Sequence, residues 1–208
     1  MARGDQRVGS SDDGSDDSSD DRRGGGSDVE SVCWTGSPSA VAAIRDALIV
    51  HSSAGALRLV LQQLTLRERG EVVGSHEVID GVIDVDGNLV VVPIAEAVRA
   101  DPDTSAALDA ALARLRAEIS AELGAVPDSL EVVIDADRTR RVLVVPSVDV
   151  SPVRVTGPPP HPALHDGRHH IVHHAPALDE LRDRLAPPSP GLLARLRDAL
   201  ARGARRTR

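Results

Sequence analysis

The stretch 71-EVVGSHEVIDGVIDVDGNLVVVP-93 decides the fold. Val82 to Val85 and Leu89 to Val92 are β-rich runs on either side of Asp86-Gly87. That dipeptide accepts the positive φ angles of a two-residue hairpin turn, so the two runs should pair antiparallel. Pro93 has no N–H to give to a ladder and should end the second strand.

Working outward toward the C-terminus, Asp101 is placed to cap a helix with Pro102 in its first turn. Leu108, Leu112, Leu115, Ile119 and Leu123 then recur at helical spacing and form one apolar stripe, which Gly124 and Pro127 terminate. The next segment, 127-PDSLEVVIDADRTRRVLVV-145, reads as two strands, Leu130 to Ile134 and Arg141 to Val145, joined by a turn containing Asp137.

Working outward toward the N-terminus, 56-ALRLVLQQLTLRE-68 is ambiguous. Leu57, Leu59 and Leu61 alternate as in a strand, whereas Leu64 and Leu66 alternate with the opposite parity, which calls for a bulge. Leu57, Leu61 and Leu64 also fit a helix. The sheet that follows favours a strand. Before it, Ser37-Pro38 predicts a helix start, with Val41, Ile44 and Leu48 on one face.

These elements predict an α+β fold: a single small domain over 35–149, with an antiparallel sheet packed against one or two helices on one of its faces. Residues 1–34 form an acidic head of Ser, Asp and Gly with little to bury, expected to be disordered. Residues 150–176 read as a Pro- and His-rich linker, and 177–208 as an Arg-rich helical appendage with helices at 177–185 and 190–202. An unpaired edge on the 141–146 strand would allow a homodimer.

Composition narrows the function classes. There is no Phe or Tyr, and Trp34 is the only large ring, where a chain of this length would ordinarily carry roughly a dozen or more aromatics. The core must therefore be aliphatic. The same composition follows from GC-rich coding sequence, so a reading frame without function is one alternative. Cys33 stands alone, which excludes an intrachain disulfide and a Cys-rich zinc site. No run approaches a membrane span and the first residues have no apolar segment of the signal-peptide kind, so the expectation is a cytoplasmic protein without membrane contact.

Charge is segregated: residues 1–30 hold nine acidic side chains, and 191–208 hold six arginines against Asp198. The tail offers phosphate attraction but no stacking aromatics, so sequence-specific nucleic-acid recognition is not expected.

The histidines are the conspicuous chemistry. His161, His165, His169 and His173 recur every fourth residue, with His170 and His174 beside them. On a helix that spacing would let Zn²⁺ or Ni²⁺ bridge the rings, and these six are the candidate metal ligands. Pro162 and Gly167 interrupt such a helix, and a solvated tract that takes up metal adventitiously explains the same residues; no cofactor is otherwise indicated. DVDGN at 84–88 starts like a calcium loop, but Pro93 stands where the loop needs a bidentate Glu. No nucleophile elbow or phosphate loop occurs. An enzyme would have to gather His76, Asp80 and Asp84 into a pocket.

One resemblance is carried by the helix with L-x-x-L-R, the strand at Ser129, Leu130 and Val132, and the Asp135/Asp137 turn. Over roughly residues 70–149 this resembles the C-terminal half of the YezG-type immunity proteins and their actinobacterial relatives. The family's Trp is replaced by Pro127 or Asp128, its turn Gly by Arg138, and its aromatic final strand by Val142 to Val145. The resemblance implies a toxin-neutralising protein binder with no catalytic residues, and the acidic surface then implies a basic partner. The expected function is thus a non-catalytic protein-interaction module, with a metal-binding protein or an unrecognised enzyme as alternatives.

Overall fold

A computed structural model describes residues 31–186. In chain order the elements are β1 (Val32–Trp34), α1 (Pro38–Ile49), β2 (Ala56–Glu68), β3 (Glu71–Val85), β4 (Asn88–Pro93), α2 (Ala95–Ala100), α3 (Pro102–Leu123), β5 (Ser129–Asp135), β6 (Arg140–Val145), α4 (Pro152–Thr156), α5 (Gly167–His173) and α6 (Ala175–Leu185). The strands form one sheet in the order β1-β6-β5-β2-β3-β4, with every neighbouring pair antiparallel. This is the expected α+β architecture of a single small domain.

Two tight turns set the register of the long strands. Asp86 and Gly87 both have positive φ (52° and 86°), as do Arg69 and Gly70 (53° and 86°), the signature of two-residue hairpins. The second of these joins β2 to β3. Gly87 also donates its N–H to the Asp84 carboxylate at 2.7 Å, so the DVDGN segment works as a hairpin turn.

Helix α3 starts as expected. The Asp101 carboxylate accepts from the N–H groups of Asp103 and Thr104, and Gly124 closes the helix with a φ of 74°. Helix α1 also starts at Pro38, but Ser37 does not cap it with its side chain: it sits at φ 45° with its hydroxyl buried and unpartnered.

One face of the sheet carries the main aliphatic core. Leu59, Leu61, Ile79, Leu130, Val132, Ile134, Val142 and Val144 meet Ile44, Leu48, Leu108, Leu115 and Ile119 from α1 and α3. Trp34 seals one end of this core and donates its ring N–H to Glu122 at 2.6 Å.

The other face is also covered, which departs from the expectation of helices on one face alone. Leu64, Val145, Val148, Val150, Ala163 and Leu164 form a second, smaller core. This explains the parity change in β2 without the expected bulge between Leu61 and Leu64. The β2–β3 register is continuous from Arg58 to Leu66, with irregularities only near its ends. Leu61 and Leu64 point to opposite faces because both faces are buried.

Two boundaries also differ from the sequence reading. Val32 to Trp34, assigned to the head, pair with Val144 to Val142 as an edge strand. The β6 edge, which would have allowed a homodimer had it been unpaired, is therefore occupied over that stretch. Residues 150–185, read as linker and appendage, fold over the second face and bury Val150, Ala163, His170, Leu178 and Leu181. Composition changes at residue 150, but packing does not stop there. The acidic run before residue 31 and the helix expected at 190–202 lie outside the described residues.

Candidate functional site: a roofed histidine–carboxylate cluster

The second face gathers most of the buried polar chemistry. Side chains alternate along a strand, so Arg58, Val60, Gln62 and Leu64 of β2 face the same way. The β2–β5 register sets Arg58 opposite Asp135 and Gln62 opposite Glu131, with Val60 and Val133 paired between them. Two polar cross-strand pairs thus lie at the centre of the sheet. In an ordinary half-exposed sheet they would be solvated; here α5 and the loop before it roof them.

The contacts form a chain. Arg58 holds Asp135 with two hydrogen bonds, Nε to Oδ1 at 2.6 Å and Nη2 to Oδ2 at 3.1 Å. Its Nη1 lies 3.3 Å from Nδ1 of His170, and Nε2 of His170 lies 2.9 Å from Glu131 Oε1. A guanidinium can only donate and a carboxylate can only accept, so His170 accepts at Nδ1 and donates from Nε2. The second oxygen of Glu131 accepts from Nδ1 of His165 at 2.5 Å. Gln62 clips the loop from both ends, donating to the Ala163 carbonyl and accepting from the His165 N–H, each at 2.7 Å.

The electrostatics follow from this geometry. Burial pushes the Glu131 carboxyl up, but hydrogen bonds and charge from His165 and His170 outweigh it and bring it down to about 2. For His165, burial favours the neutral ring, and the bond and charge of Glu131 overcome it, so its pKa is raised. The two shifts agree: Glu131 and His165 form an ion pair beside the Arg58–Asp135 pair. The rest of the tract behaves oppositely. His169 is brought down to about 4, first by burial and then by the electrostatic influence of the adjoining rings of His165, His170 and His173. His174 is lowered by burial and by His170 and Arg58, and His161 by burial and Arg154.

Helix α5 reaches this position because of Gly167. A Cβ there would lie 2.7 Å from Val91 Cγ1 and 3.1 Å from Asp80, so only glycine lets the helix sit against β3 and β4. The Gly167 N–H donates to Asp80 at 2.7 Å, and Asp166 caps α5 by accepting from the His169 N–H. Burial raises the Asp80 pKa against that hydrogen bond.

The six candidate metal ligands end in three environments. His165 and His170 are engaged by Glu131. His169 stacks on His165 at a ring-centroid distance of 4.2 Å and lies 4.5 Å from His173 and 5.7 Å from His174. His161 accepts the Ala163 N–H in the preceding loop. Five rings are thus brought together, His161 standing apart, yet among the described residues no group of three or more His, Cys, Asp or Glu is arranged to hold a metal ion.

His76, Asp80 and Asp84 follow one another along β3, where both carboxylates have partners. Asp80 is spent on Gly167, and Asp84 on Gly87 and on Arg182. The large open groove of about 770 Å³ lies elsewhere, between the Pro158–Pro162 loop and α5, with His161, His169 and His173 on its wall.

Sequence reasoning missed Arg58, Gln62 and Glu131, and read Asp135 only as a turn residue. A signal was present: R-x-V-x-Q-x-L at 58–64 and S-x-E-x-V-x-D at 129–135 place polar residues at period two inside otherwise apolar strands. What no period reveals is that this polar face is roofed.

Compared with known proteins, the chain matches no family model, and neither a curated protein nor a solved structure matches it.

Proposed function

We propose that the chain is a non-catalytic protein-binding module of the toxin-neutralising kind, directed at a basic protein. One observation carries this reading. The side chains best suited to acid–base chemistry, Arg58, Glu131 and His170, are each only 1–2 % exposed and satisfy one another's hydrogen bonds. A catalytic group has to meet substrate, and these meet each other.

Two further features support binding. Described residues carry 22 acidic against 14 basic side chains, so the folded body is itself acidic, which favours association with a basic surface. Strand β3 also runs past its neighbour: β4 pairs only from Asp80 onward, leaving Glu71 to Ile79 without a β4 partner. Val72 and Val73 on that stretch are 60 % and 49 % exposed. Such an edge can take a strand from a partner. The resemblance to immunity proteins over residues 70–149 points the same way.

The test is photo-crosslinking in the producing cell, with the crosslinker placed at Val72 in the full chain and at Val153 as control. A single basic protein captured at Val72 and not at Val153 supports the reading. Capture that is equal at both positions, or a substrate turnover lost in Glu131→Gln while the fold persists, overturns it.

A further inference from the structure

We propose that His169 and His173 of α5 form a two-histidine site for a divalent transition-metal ion that takes its ligands at right angles, Cu²⁺ foremost. The site opens on the groove between α5 and the Pro158–Pro162 loop. It goes beyond the proposed binding function and does not depend on it.

The tract offers six imidazoles, and the fold leaves one pair. Among the described residues, ring hydrogen bonds within the tract engage His161, His165 and His170. His170 is excluded: its Nδ1 accepts from Arg58 and its Nε2 donates to Glu131, so it has no lone pair for a metal. His165 is tied to Glu131 through Nδ1, and His161 accepts the Ala163 N–H at its Nδ1. That leaves His169, His173 and His174 with both ring nitrogens uncommitted.

Spacing chooses among these three. A metal–nitrogen bond of about 2.0 Å puts the ion about 3.2 Å from the ring centre. Two imidazoles on one ion therefore stand about 4.5 Å apart, centre to centre, at a right angle and about 5.2 Å apart at the tetrahedral angle. His169 and His173 are 4.5 Å apart, the right-angle value. His169 and His174, at 5.7 Å, are too far apart for either geometry, and His165 stacks on His169 at 4.2 Å, closer than both. The 5.0 Å between His170 and His174 would suit an ion, but His170 is already spent.

The backbone holds the pair in place. Residues four apart on a helix share a face, the spacing by which two histidines of one helix hold one ion. Helix α5 is itself fixed by the Asp166 cap and by the Gly167 bond to Asp80. The 35° tilt between the two rings is adjusted by rotation of the exposed His173 ring. Both rings lie on the wall of the groove of about 770 Å³, so an ion reaches them from solvent. Right-angle nitrogen and oxygen coordination suits Cu²⁺ and Ni²⁺, and Cu²⁺ stands highest in the affinity order. Two protein ligands are fewer than the three or more that the described residues do not gather, so the ion keeps open positions toward the groove. Asp166 and His161 line that groove too, and the open positions fall to them or to water.

The experiment is a Cu²⁺ titration of the full chain, followed by calorimetry and electron paramagnetic resonance. The native chain is compared with His169→Gln, His173→Gln and His174→Gln. One saturable equivalent carrying two equatorial imidazole nitrogens is expected. His169→Gln and His173→Gln should each weaken binding by about a hundred-fold, the loss of a second point of attachment, while His174→Gln leaves it unchanged. Equal loss in all three variants, the behaviour of an unstructured histidine tract with adventitious affinity, overturns the proposal. So does a number of bound imidazoles other than two, or binding that does not saturate. Should a variant fail to fold, paramagnetic broadening by Cu²⁺ in the native chain decides. Ring protons of His169 and His173 broadening first supports the site; equal broadening across all eight histidines, or broadening led by His51 or His76, refutes it.

Discussion

Replacing Glu131 by Gln removes one charge from the centre of the sheet and leaves the shape nearly unchanged. The carboxyl is held at about 2 against an ordinary value of 4.5, and both its oxygens are engaged, by His165 at 2.5 Å and His170 at 2.9 Å. A shift of that size corresponds to about 3 kcal/mol of preference for the ionised form. The Gln side chain keeps one acceptor but turns an amide N–H₂ toward the other imidazole, so the loss near pH 6 should be about 2–3 kcal/mol. For a body of this size that lowers the Tm by about 5–10 °C. Urea unfolding followed by the fluorescence of Trp34, which is buried and alone of its kind, measures it. The pH dependence is the sharper check. Glu131 has a depressed folded pKa, so its contribution is full above 4.5 and is lost as the pH falls toward 2; the gap between native and variant should close along that slope. His165 has a raised one, so the gap should also narrow as the pH rises through its folded value. A variant as stable as the native chain at pH 6, or a gap that is flat between pH 6 and 3, would refute the ion-pair account.

Three further outcomes follow from the fold. Leu61→Ala and Leu64→Ala should each cost about 2–5 kcal/mol in chemical denaturation, because each is fully buried but on opposite faces; a small loss for Leu64 would mean the second face is open. Gly167→Ala should push α5 away from Val91 and Asp80, costing about 1–3 kcal/mol and loosening α5 amides in hydrogen exchange while the β2–β5 ladder stays protected. A chain ending at residue 149 should lose its monomeric, cooperatively folding state in size-exclusion and thermal unfolding, since it would expose Leu64, Val145 and the charged Arg58–Asp135 and Glu131 groups together. Cooperative folding of that fragment would show that residues 150–186 are dispensable.

The long elements were legible because each obeyed a local rule. The Asp86-Gly87 turn, the Asp101 cap and the α3 stripe needed no information beyond a few residues on either side, and the β5–β6 pair was visible for the same reason. A turn residue acts through its own φ, and a helix stripe through a spacing that the chain carries wherever it goes. Even the short helix at 177–185 was visible from Leu178 and Leu181, although the surface those leucines bury was not.

What tertiary structure alone decided is the second face. The parity change in β2 suggested a bulge because one buried face was assumed; it reflects two buried faces, and burial on both sides follows only from where residues 148–185 travel. The histidine tract gave a metal-like period, yet His165 and His170 are held by a partner on β5, Glu131, 34 and 39 residues upstream in sequence, and the helix that carries the tract is set in place by the absence of a side chain at Gly167. Local sequence fixes which conformations a segment favours. Whether a polar side chain ends in water, in an ion pair or under a helix depends on what another segment places against it, and that is settled only when the sheet has formed and the chain folds back across it.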